Sequence, residues 1–178
     1  MKFTLLPFNG LPETNINKQE IPSEMKVEAT MSWPQLHLDF QLPSSHLSPT
    51  ADLSLKERRD ELWKDTCFEC FILSRQGNYD EWNFNLEGDW QCYQFESYRS
   101  PQPPRERKLH TLPEIKREKK GNQLFLKLIL PIEQFQRSEI ISVHPCFVWK
   151  GSHFFAAAHP PEKADFHLDK FYLNWRDA

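Results

Sequence analysis

The sequence predicts an all-β protein, an antiparallel β-sandwich of about ten strands. Apolar and polar residues alternate with a period of two along most segments, which is typical of strands that bury one face. Turn residues such as Gly121-Asn122 separate neighbouring segments by the short distances that are typical of hairpins. Few segments show a helical period, and 178 residues are enough for one domain. We therefore expect a single domain over residues 1–178.

The N-terminal part of the chain contains three predicted strands and two connections. The first strand spans residues 2–7, and a polar connection follows over residues 9–24. KVEATMSW and QLHLDFQL are expected to form a hairpin that turns at Trp33-Pro34, with the alternating Leu and Phe side chains of its second strand facing the core. A Pro/Ser loop is predicted for residues 44–55, and SLKERRDELW is expected to form a short helical turn.

The remainder of the chain contains the longer predicted strands. TCFECFIL, EWNFNL and WQCYQFESY are expected as three consecutive strands joined by short turns. EIKREKKGNQLFLKLILP is predicted to be a hairpin that turns at Gly121-Asn122, and PIEQF a short helical turn. IISVHPCFVW, HFFAAAH and FYLNW are expected to complete the fold as strands.

Charge, cysteine content and hydropathy restrict the class of protein. The formal net charge of −3 gives no whole-chain indication of nucleic-acid binding. No segment approaches the ~20 apolar residues of a membrane span, and the N-terminus has no apolar run of signal-peptide length. Cys67 and Cys70 form a CxxC within a strand, where their odd separation places the sulfurs on opposite faces, so packing is favoured over zinc binding. We expect a cytoplasmic protein with reduced thiols and without membrane or nucleic-acid partners.

One segment, residues 99–120, is rich in Lys and Arg. It contains eight basic residues and three Glu. A solvated loop and an exposed hairpin are the favoured interpretation, and a patch that binds anions or nucleic acid is the alternative. No aromatic residue is interleaved in it, which argues against single-stranded nucleic acid as the ligand.

The segment YDEWNFNLEGDWQCYQF contains the best candidate ligand face. Alternation directs Trp82, Phe84 and Leu86 into the core and three polar side chains to the opposite face: Glu81, Asn83 and Asn85. One carboxylate and two amides supply the acceptors and donors that vicinal hydroxyls require. Trp90, beyond a Gly-Asp turn, is a candidate for stacking on the apolar face of a sugar ring. The alternative is that this polar face is only solvated or ties strands and loops together.

Glu69 is the second informative residue, because it interrupts the apolar run TCFECFIL. An unpaired charge in such a strand is costly. Glu69 either faces the same groove as Glu81 or pairs internally with an arginine such as Arg59 or Arg99. An odd number of residues in the turn near residues 74–78 would place Glu69 on the face of Glu81, and an even number would place it with Trp82.

Histidines near the C-terminus form a further candidate cluster. His159 ends the strand HFFAAAH, and His167 follows a proline loop. Asp165, His167 and Asp169 alternate, which suits a metal ion or an imidazole held by a carboxylate. A hydrogen-bonded loop closure is the more common role of such a cluster, so we expect no metal site.

Several blocks together resemble the DOMON-like domains of bacterial proteins, which are related to the family 9 carbohydrate-binding modules. The blocks are RRDELWKDTCFECFIL, YDEWNFNLEGDWQCYQFESYR and GSHFFAAAHPPEKADFH, with VEATMSWPQLHLDFQL and LILPIEQF as weaker ones. The resemblance covers most of the chain from about Val27 onward. It implies a jelly-roll-like β-sandwich that binds a ligand, haem or a sugar in the better-known branches, without catalysis.

The sequence and the resemblance together predict non-catalytic binding of a sugar-like or other small polar ligand. We expect no cofactor: haem is the alternative, but Met25 and Met31 form no characteristic axial pair with a histidine. A protein-interaction or structural domain is a second alternative. A weak glycoside hydrolase that uses Glu69 and Glu81 is a third. The predicted ligand-binding residues are Glu69, Glu81, Asn83, Asn85, Trp90, Arg99, His159 and His167.

Overall fold

Strands form nearly all of the regular structure in the described part of the chain. A computed structural model describes residues 1–8, 22–43 and 55–175. In chain order its strands are β1 (Lys2–Pro7), β2 (Met25–Ser32), β3 (Gln35–Pro43), β4 (Cys67–Ser74), β5 (Tyr79–Phe84), β6 (Trp90–Phe95), β7 (Arg105–Glu106), β8 (Glu114–Lys120), β9 (Gln123–Pro131), β10 (Ile140–Trp149), β11 (His153–Ala156) and β12 (Leu173–Asn174). Two short 3-10 turns, Leu62–Lys64 and Asp169–Phe171, are the helical elements of this part.

The strands pair antiparallel in one continuous curled sheet. Its order is β7-β6-β5-β4-β10-β11-β1-β2-β3-β9-β8, and β12 pairs with β10 beside this path. β1 joins two halves of this sheet. Its first residues pair with β2, whereas its last two residues, Leu6 and Pro7, pair with β11. We call β1, β2, β3, β9 and β8 half-sheet I, and β11, β10, β4, β5, β6 and β7 half-sheet II. The predicted all-β antiparallel fold is confirmed, although the connected halves form a half-barrel rather than two separate sheets.

The main apolar core lies between the concave faces of the two halves. Half-sheet I contributes alternate, buried side chains of β3 and β9 to this core. Half-sheet II contributes alternate side chains of β4, β5 and β10, which pack against them. The rings of Phe40 and Phe68 lie 5.2 Å apart across this interface. Trp82 and Phe84 belong to this core, as the alternation predicted. Each such buried side chain contributes roughly 1.5–3 kcal/mol to folding.

The turn between β4 and β5 determines which face Glu69 occupies. Leu73 pairs with Tyr79, so the connection contains five residues, 74–78. Further along the ladder Glu69 pairs with Asn83 and Cys70 with Trp82. Directly opposed residues in an antiparallel pair point to the same side of the sheet. Glu69 therefore lies on the face of Glu81, opposite to the core.

Half-sheet II is buried on both faces. Every residue of β4 and β5 is buried, including the polar ones. A second apolar cluster on the convex face joins the strand residues Phe71, Tyr79 and Phe95 to Leu62 of the first 3-10 turn and Phe166 near the C-terminus. The near-continuous apolar run of β4 is explained by this two-sided burial.

Other sequence predictions have mixed outcomes. The β8–β9 hairpin turns at Gly121, whose φ of 58° requires glycine-like freedom, as predicted. The predicted helical turn in SLKERRDELW is the 3-10 turn Leu62–Lys64, and the Phe135 N–H donates to the carbonyl of Ile132 within PIEQF. The short strand β7 was not predicted. Most of the two predicted connections, residues 9–24 and 44–55, lies outside the described residues.

The basic stretch is exposed where it forms β8. Lys116 pairs with Glu114, and Lys120 with Glu118, at the surface. The solvated-hairpin interpretation accounts for these contacts. None of the helical segments in the described residues is long and apolar enough to span a membrane.

Candidate functional site

A cavity of about 230 Å³ opens over the convex face of half-sheet II. The strands supply its floor: Glu69, Phe71, Glu81, Tyr93, Phe95, Val148 and Phe154. Its walls come from three loops: Trp63 on the first 3-10 turn, Arg99 to Pro104 after β6, and Ala164 to His167 near the C-terminus. The volume is somewhat below the ~300–1,000 Å³ that is typical of pockets for drug-sized ligands, so it suits a small ligand.

Two buried carboxyl groups form the polar centre of the cavity floor. Glu69 is 3% and Glu81 5% exposed. They occupy diagonal positions on adjacent strands, where the side chains reach each other. Burial, and for Glu69 also the charge of Glu81, raises the pKa of both groups, that of Glu81 to about 7. The pair therefore retains a proton near neutral pH and titrates as a unit.

Asn83 lies beneath this pair and does not line the cavity. It is fully buried, and its Nδ2 donates to Glu81 Oε1 at 2.9 Å. The Cys67 thiol lies 3.5 Å from the amide oxygen of Asn83. Asn83 thus orients Glu81 from behind, which is a supporting role rather than the direct ligand contact that the sequence predicted.

His167 contacts Glu81 as a neutral ring. Tyr79 accepts the Arg99 backbone N–H at 3.1 Å, and its hydroxyl lies 2.7 Å from His167 Nδ1. We assign the Tyr79 proton to this contact, which leaves the ring proton on Nε2, 3.6 Å from Glu81 Oε2. Burial and the charge of Arg99 lower the pKa of His167 to about 3. The separation from Glu81 would permit an ion pair, but an uncharged imidazole cannot form one.

Asp165 attaches the C-terminal wall to the sheet. Its carboxylate accepts from Arg99 Nη2 at 2.9 Å, from the Tyr98 hydroxyl at 2.6 Å and from the His167 backbone N–H at 3.1 Å. Arg99 has a positive φ of 50°, an uncommon conformation for a residue other than glycine. The predicted loop closure by Asp165 is confirmed by these contacts. Among the described residues, no group of three or more His, Cys, Asp or Glu is arranged to hold a metal ion.

Aromatic side chains form the rim on the other side of the cavity. The Trp63 ring contacts Tyr93 edge-on at 6.1 Å and is 36% exposed. Tyr93 donates its hydroxyl hydrogen bond to Asp60 at 2.6 Å. Gly151 packs tightly against the 3-10 turn that carries Trp63, since a Cβ at this position would lie 2.2 Å from the carbonyl oxygen of Lys64. The turn is therefore packed firmly enough to present an indole face to a ligand.

The expected stacking platform, Trp90, lies in the core instead. It is 3% exposed, packs against Trp82 at 6.3 Å and has Arg58 stacked over its ring at 4.5 Å. Trp90 pairs directly with Phe84, so it points to the core side of half-sheet II. Trp63 is the tryptophan that lines the cavity.

Three further residues that were named from the sequence lie outside the cavity lining. Asn85 follows the end of β5 and accepts the backbone N–H groups of Glu87 and Asp89, so it stabilises a turn. His159 Nε2 lies 2.9 Å from the Leu6 carbonyl oxygen, and the residue fixes the β1–β11 junction away from the cavity. Arg59 pairs with Asp89 at 2.8 Å rather than with Glu69. Of the eight predicted residues, Glu69, Glu81, Arg99 and His167 line the cavity together.

Sequence reasoning missed the aromatic and tyrosine contributions to the site. Tyr79 shares a face with Glu81, and Tyr93 and Phe95 share the same face on β6. Once Glu81 is assigned to the ligand face, the alternation along β5 and β6 predicts these three aromatic residues on the same face. The walls had no comparable signal, because the contacts of Asp165 with Tyr98 and Arg99 join residues more than 60 positions apart.

The free energy of unfolding should fall as the pH rises through the range in which Glu81 loses its proton. A carboxyl whose folded pKa lies above its usual 4.5 binds more protons folded than unfolded, so its charge destabilises the fold at higher pH. Its pKa of about 7 corresponds to about 3 kcal/mol. Chemical denaturation at pH 4 and pH 8 measures this. Glu81→Gln should be more stable than wild type at pH 8 and nearly equal at pH 4; a difference independent of pH would contradict the burial of a carboxyl without a cationic partner.

Comparisons with known proteins relate the chain to others through its fold. No protein-family model matches it, and no curated protein matches it in sequence. Among solved structures, it is similar to a Bacteroides uniformis protein for which carbohydrate binding has been proposed. The TM-score is 0.62 at 14% identity, over 97% of this chain and 85% of the other. At this identity the similarity establishes a shared fold.

Proposed function

We propose that the protein is a non-catalytic binding module for a small polar, sugar-like ligand, held in the cavity over the convex face of half-sheet II. The observation that carries this proposal is the pair of buried carboxyl groups, Glu69 and Glu81, facing a cavity whose rim includes Trp63. Among the described residues, neither carboxyl has a charged cationic partner within 4.0 Å. Buried carboxyl groups without a cationic partner are costly to folding, and such groups are frequent at functional sites.

The chemistry of the cavity supports a polyhydroxylated ligand. Carboxylates accept hydrogen bonds from vicinal hydroxyls, and Arg99 and Gln102 supply donors at the wall. Trp63 and Tyr93 supply aromatic surface for the apolar face of a sugar ring. The shared fold with a protein proposed to bind carbohydrate agrees with this ligand class.

We also propose that the chain is a divergent DOMON-like domain related to the family 9 modules. The blocks that carry the resemblance form β4 to β6 and the cavity wall near His167. All four cysteines are free and buried, which fits the cytoplasmic location that we propose.

A panel of mono- and disaccharides, screened by thermal unfolding, tests the binding function. A ligand at about 100 times its Kd should raise the free energy of unfolding by about 2.7 kcal/mol, roughly 5–10 °C in Tm. Glu81→Gln should reduce this shift, and the exposed matched variant Glu118→Gln should preserve it. If no saccharide raises Tm, the carbohydrate proposal is wrong.

A glycoside hydrolase is the second candidate function, because the register places two carboxyl groups on one face. Retaining and inverting enzymes both use such a pair. The same panel separates the two functions when its members are reanalysed after long incubation. We expect intact saccharides; hydrolysis that disappears in both Glu69→Gln and Glu81→Gln would establish the enzyme instead.

A further inference from the structure

We propose that the ligand carries a protonated amine, and that this ammonium group binds between Glu69 and Glu81 on the cavity floor. This inference rests on the proposed function, and adds the charge and class of the ligand, an amino sugar or a related amine. It follows from the distribution of charge in the cavity, the surroundings of the two carboxyl groups and the geometry of an ammonium ion.

The cationic lining of the cavity compensates the two floor carboxyls only in part, because the charge of Arg99 lowers the pKa of each against the larger opposing effect of burial. Arg99 is the cationic side chain of the lining, and Asp165 pairs with it at 2.9 Å. His167 is neutral, because burial and Arg99 lower its pKa to about 3. Apart from that internal pair, Glu69 and Glu81 are the carboxyl groups of the lining, and burial favours their protonated form unless a cation lies beside them. A cationic group on the ligand is the complement that the cavity lacks.

Glu69 lacks a cationic contact partner among the described residues. It is 3% exposed and lines the cavity, and no Lys, Arg or His nitrogen of the described residues lies within 4.0 Å of its carboxylate. The weakly donating thiol of Cys67 is the hydrogen-bond partner that lowers its pKa, against the larger opposing effect of burial. A buried carboxyl with this environment is either protonated or completed by a ligand cation.

An ammonium ion satisfies both carboxyl groups, and a hydroxyl does not. A hydroxyl donates one hydrogen bond and cannot neutralise the charge of the pair when both carboxyls are ionised. An ammonium group donates three hydrogen bonds and offsets the charge of both. The rings of Phe71, Tyr93 and Phe95 line the same floor, and aromatic rings favour a nearby cation.

Binding of such a ligand must displace protons from the floor. Besides the pair, the titratable or charged groups that face it are Cys67, Tyr79, Tyr93, Arg99, Cys146, Asp165 and His167. Burial raises the pKa of the thiols and phenols further above neutrality, and the pKa of His167 lies near 3. Between pH 5.5 and 7.5 the released proton therefore comes from Glu69 and Glu81.

Calorimetric titration with matched sugars tests the inference. Each hexose series supplies three probes: the free amine, its N-acetyl derivative and the parent sugar, as in glucosamine, N-acetylglucosamine and glucose. At pH 6 we expect the amine of one series to bind at least tenfold more tightly than both neutral counterparts. Titration in two buffers of different ionisation enthalpy should show proton release of up to two per site.

Conservative variants identify the groups responsible. Glu69→Gln and Glu81→Gln should each remove the preference for the amine and the proton release, while Glu118→Gln should retain both. Neutralising one of two repelling carboxyls should not unfold the chain, and cooperative unfolding of each variant verifies this. Neutral sugars that bind as tightly as amines would overturn the inference and leave the proposed function intact. Failure of every probe to bind would overturn both.

Discussion

Replacement of Asp80 by Ala should lower the free energy of unfolding by about 3–5 kcal/mol, because it leaves the largely buried guanidinium of Arg107 without its carboxylate partner. Asp80 is fully buried on the core side of β5. Its carboxylate accepts from Nε of Arg107 at 3.0 Å, from Nη2 of the same residue, and from Gln134 Nε2 at 2.7 Å. The three side chains close the end of the core where β5, the loop after β7 and the turn after β9 meet.

The pKa of Asp80 explains why this pair is costly to break. Burial raises the pKa of the carboxyl even though Arg107 and Gln134 act to lower it. The attraction between Asp80 and Arg107 thus offsets only part of the free-energy cost of desolvating the two groups. When one of them is removed, the desolvation cost of the other is no longer offset. The loss should approach 10 °C in Tm for a chain of this size, at roughly 2–4 °C per kcal/mol.

Urea denaturation of Asp80→Ala measures the effect, and Asp39→Ala is the matched control. Asp39 is half-exposed and lies 3.8 Å from Lys127, so its replacement should change stability by less than about 1 kcal/mol. A loss below about 1 kcal/mol for Asp80→Ala would show that the buried network does not hold this end of the core together.

The second large effect concerns the cavity itself. Ala164→Trp should weaken binding at least 100-fold for whichever saccharide stabilises the wild-type protein, because the indole would fill the space over Glu69 and Glu81. Ala164 lines the cavity and lies in a half-buried loop. A larger side chain at this position would occupy the space of the ligand without displacing core side chains. The neighbouring variant Lys163→Trp adds the same ring at an exposed position.

Calorimetry on both tryptophan variants separates blockage from unfolding. We expect Lys163→Trp to bind as wild type does, and both variants to unfold cooperatively near the wild-type Tm. Unchanged affinity in Ala164→Trp would place the ligand elsewhere on the molecule.

Local periodicity was sufficient to predict the strands and one half of the site. The alternation in EWNFNL predicted the burial of Trp82 and Phe84, and it nominated Glu81 correctly as a residue of the opposite face. The parity of the turn at residues 74–78 decided the face of Glu69, and only the structure gives the length of that turn. A change of one residue in this turn would have moved the carboxyl into the core.

The errors arose where strands end and where distant segments meet. β5 ends at Phe84, so Asn85 belongs to a five-residue turn and Trp90 returns opposite Phe84 on the core side. The cover formed by residues 164–172 depends on contacts with β4, β5 and the loop after β6, which no local pattern contains. A polar strand face therefore proved to be the buried floor of a cavity instead of an open groove.

A crystal structure of the protein soaked or grown with the best-binding saccharide tests the central claim most directly. We predict the sugar in the cavity over half-sheet II, with polar atoms within about 3.2 Å of the carboxyl oxygens of Glu69 and Glu81 and one ring face against Trp63 or Tyr93. A saccharide bound on half-sheet I, or anywhere else with this cavity unoccupied, would contradict the assignment of the site.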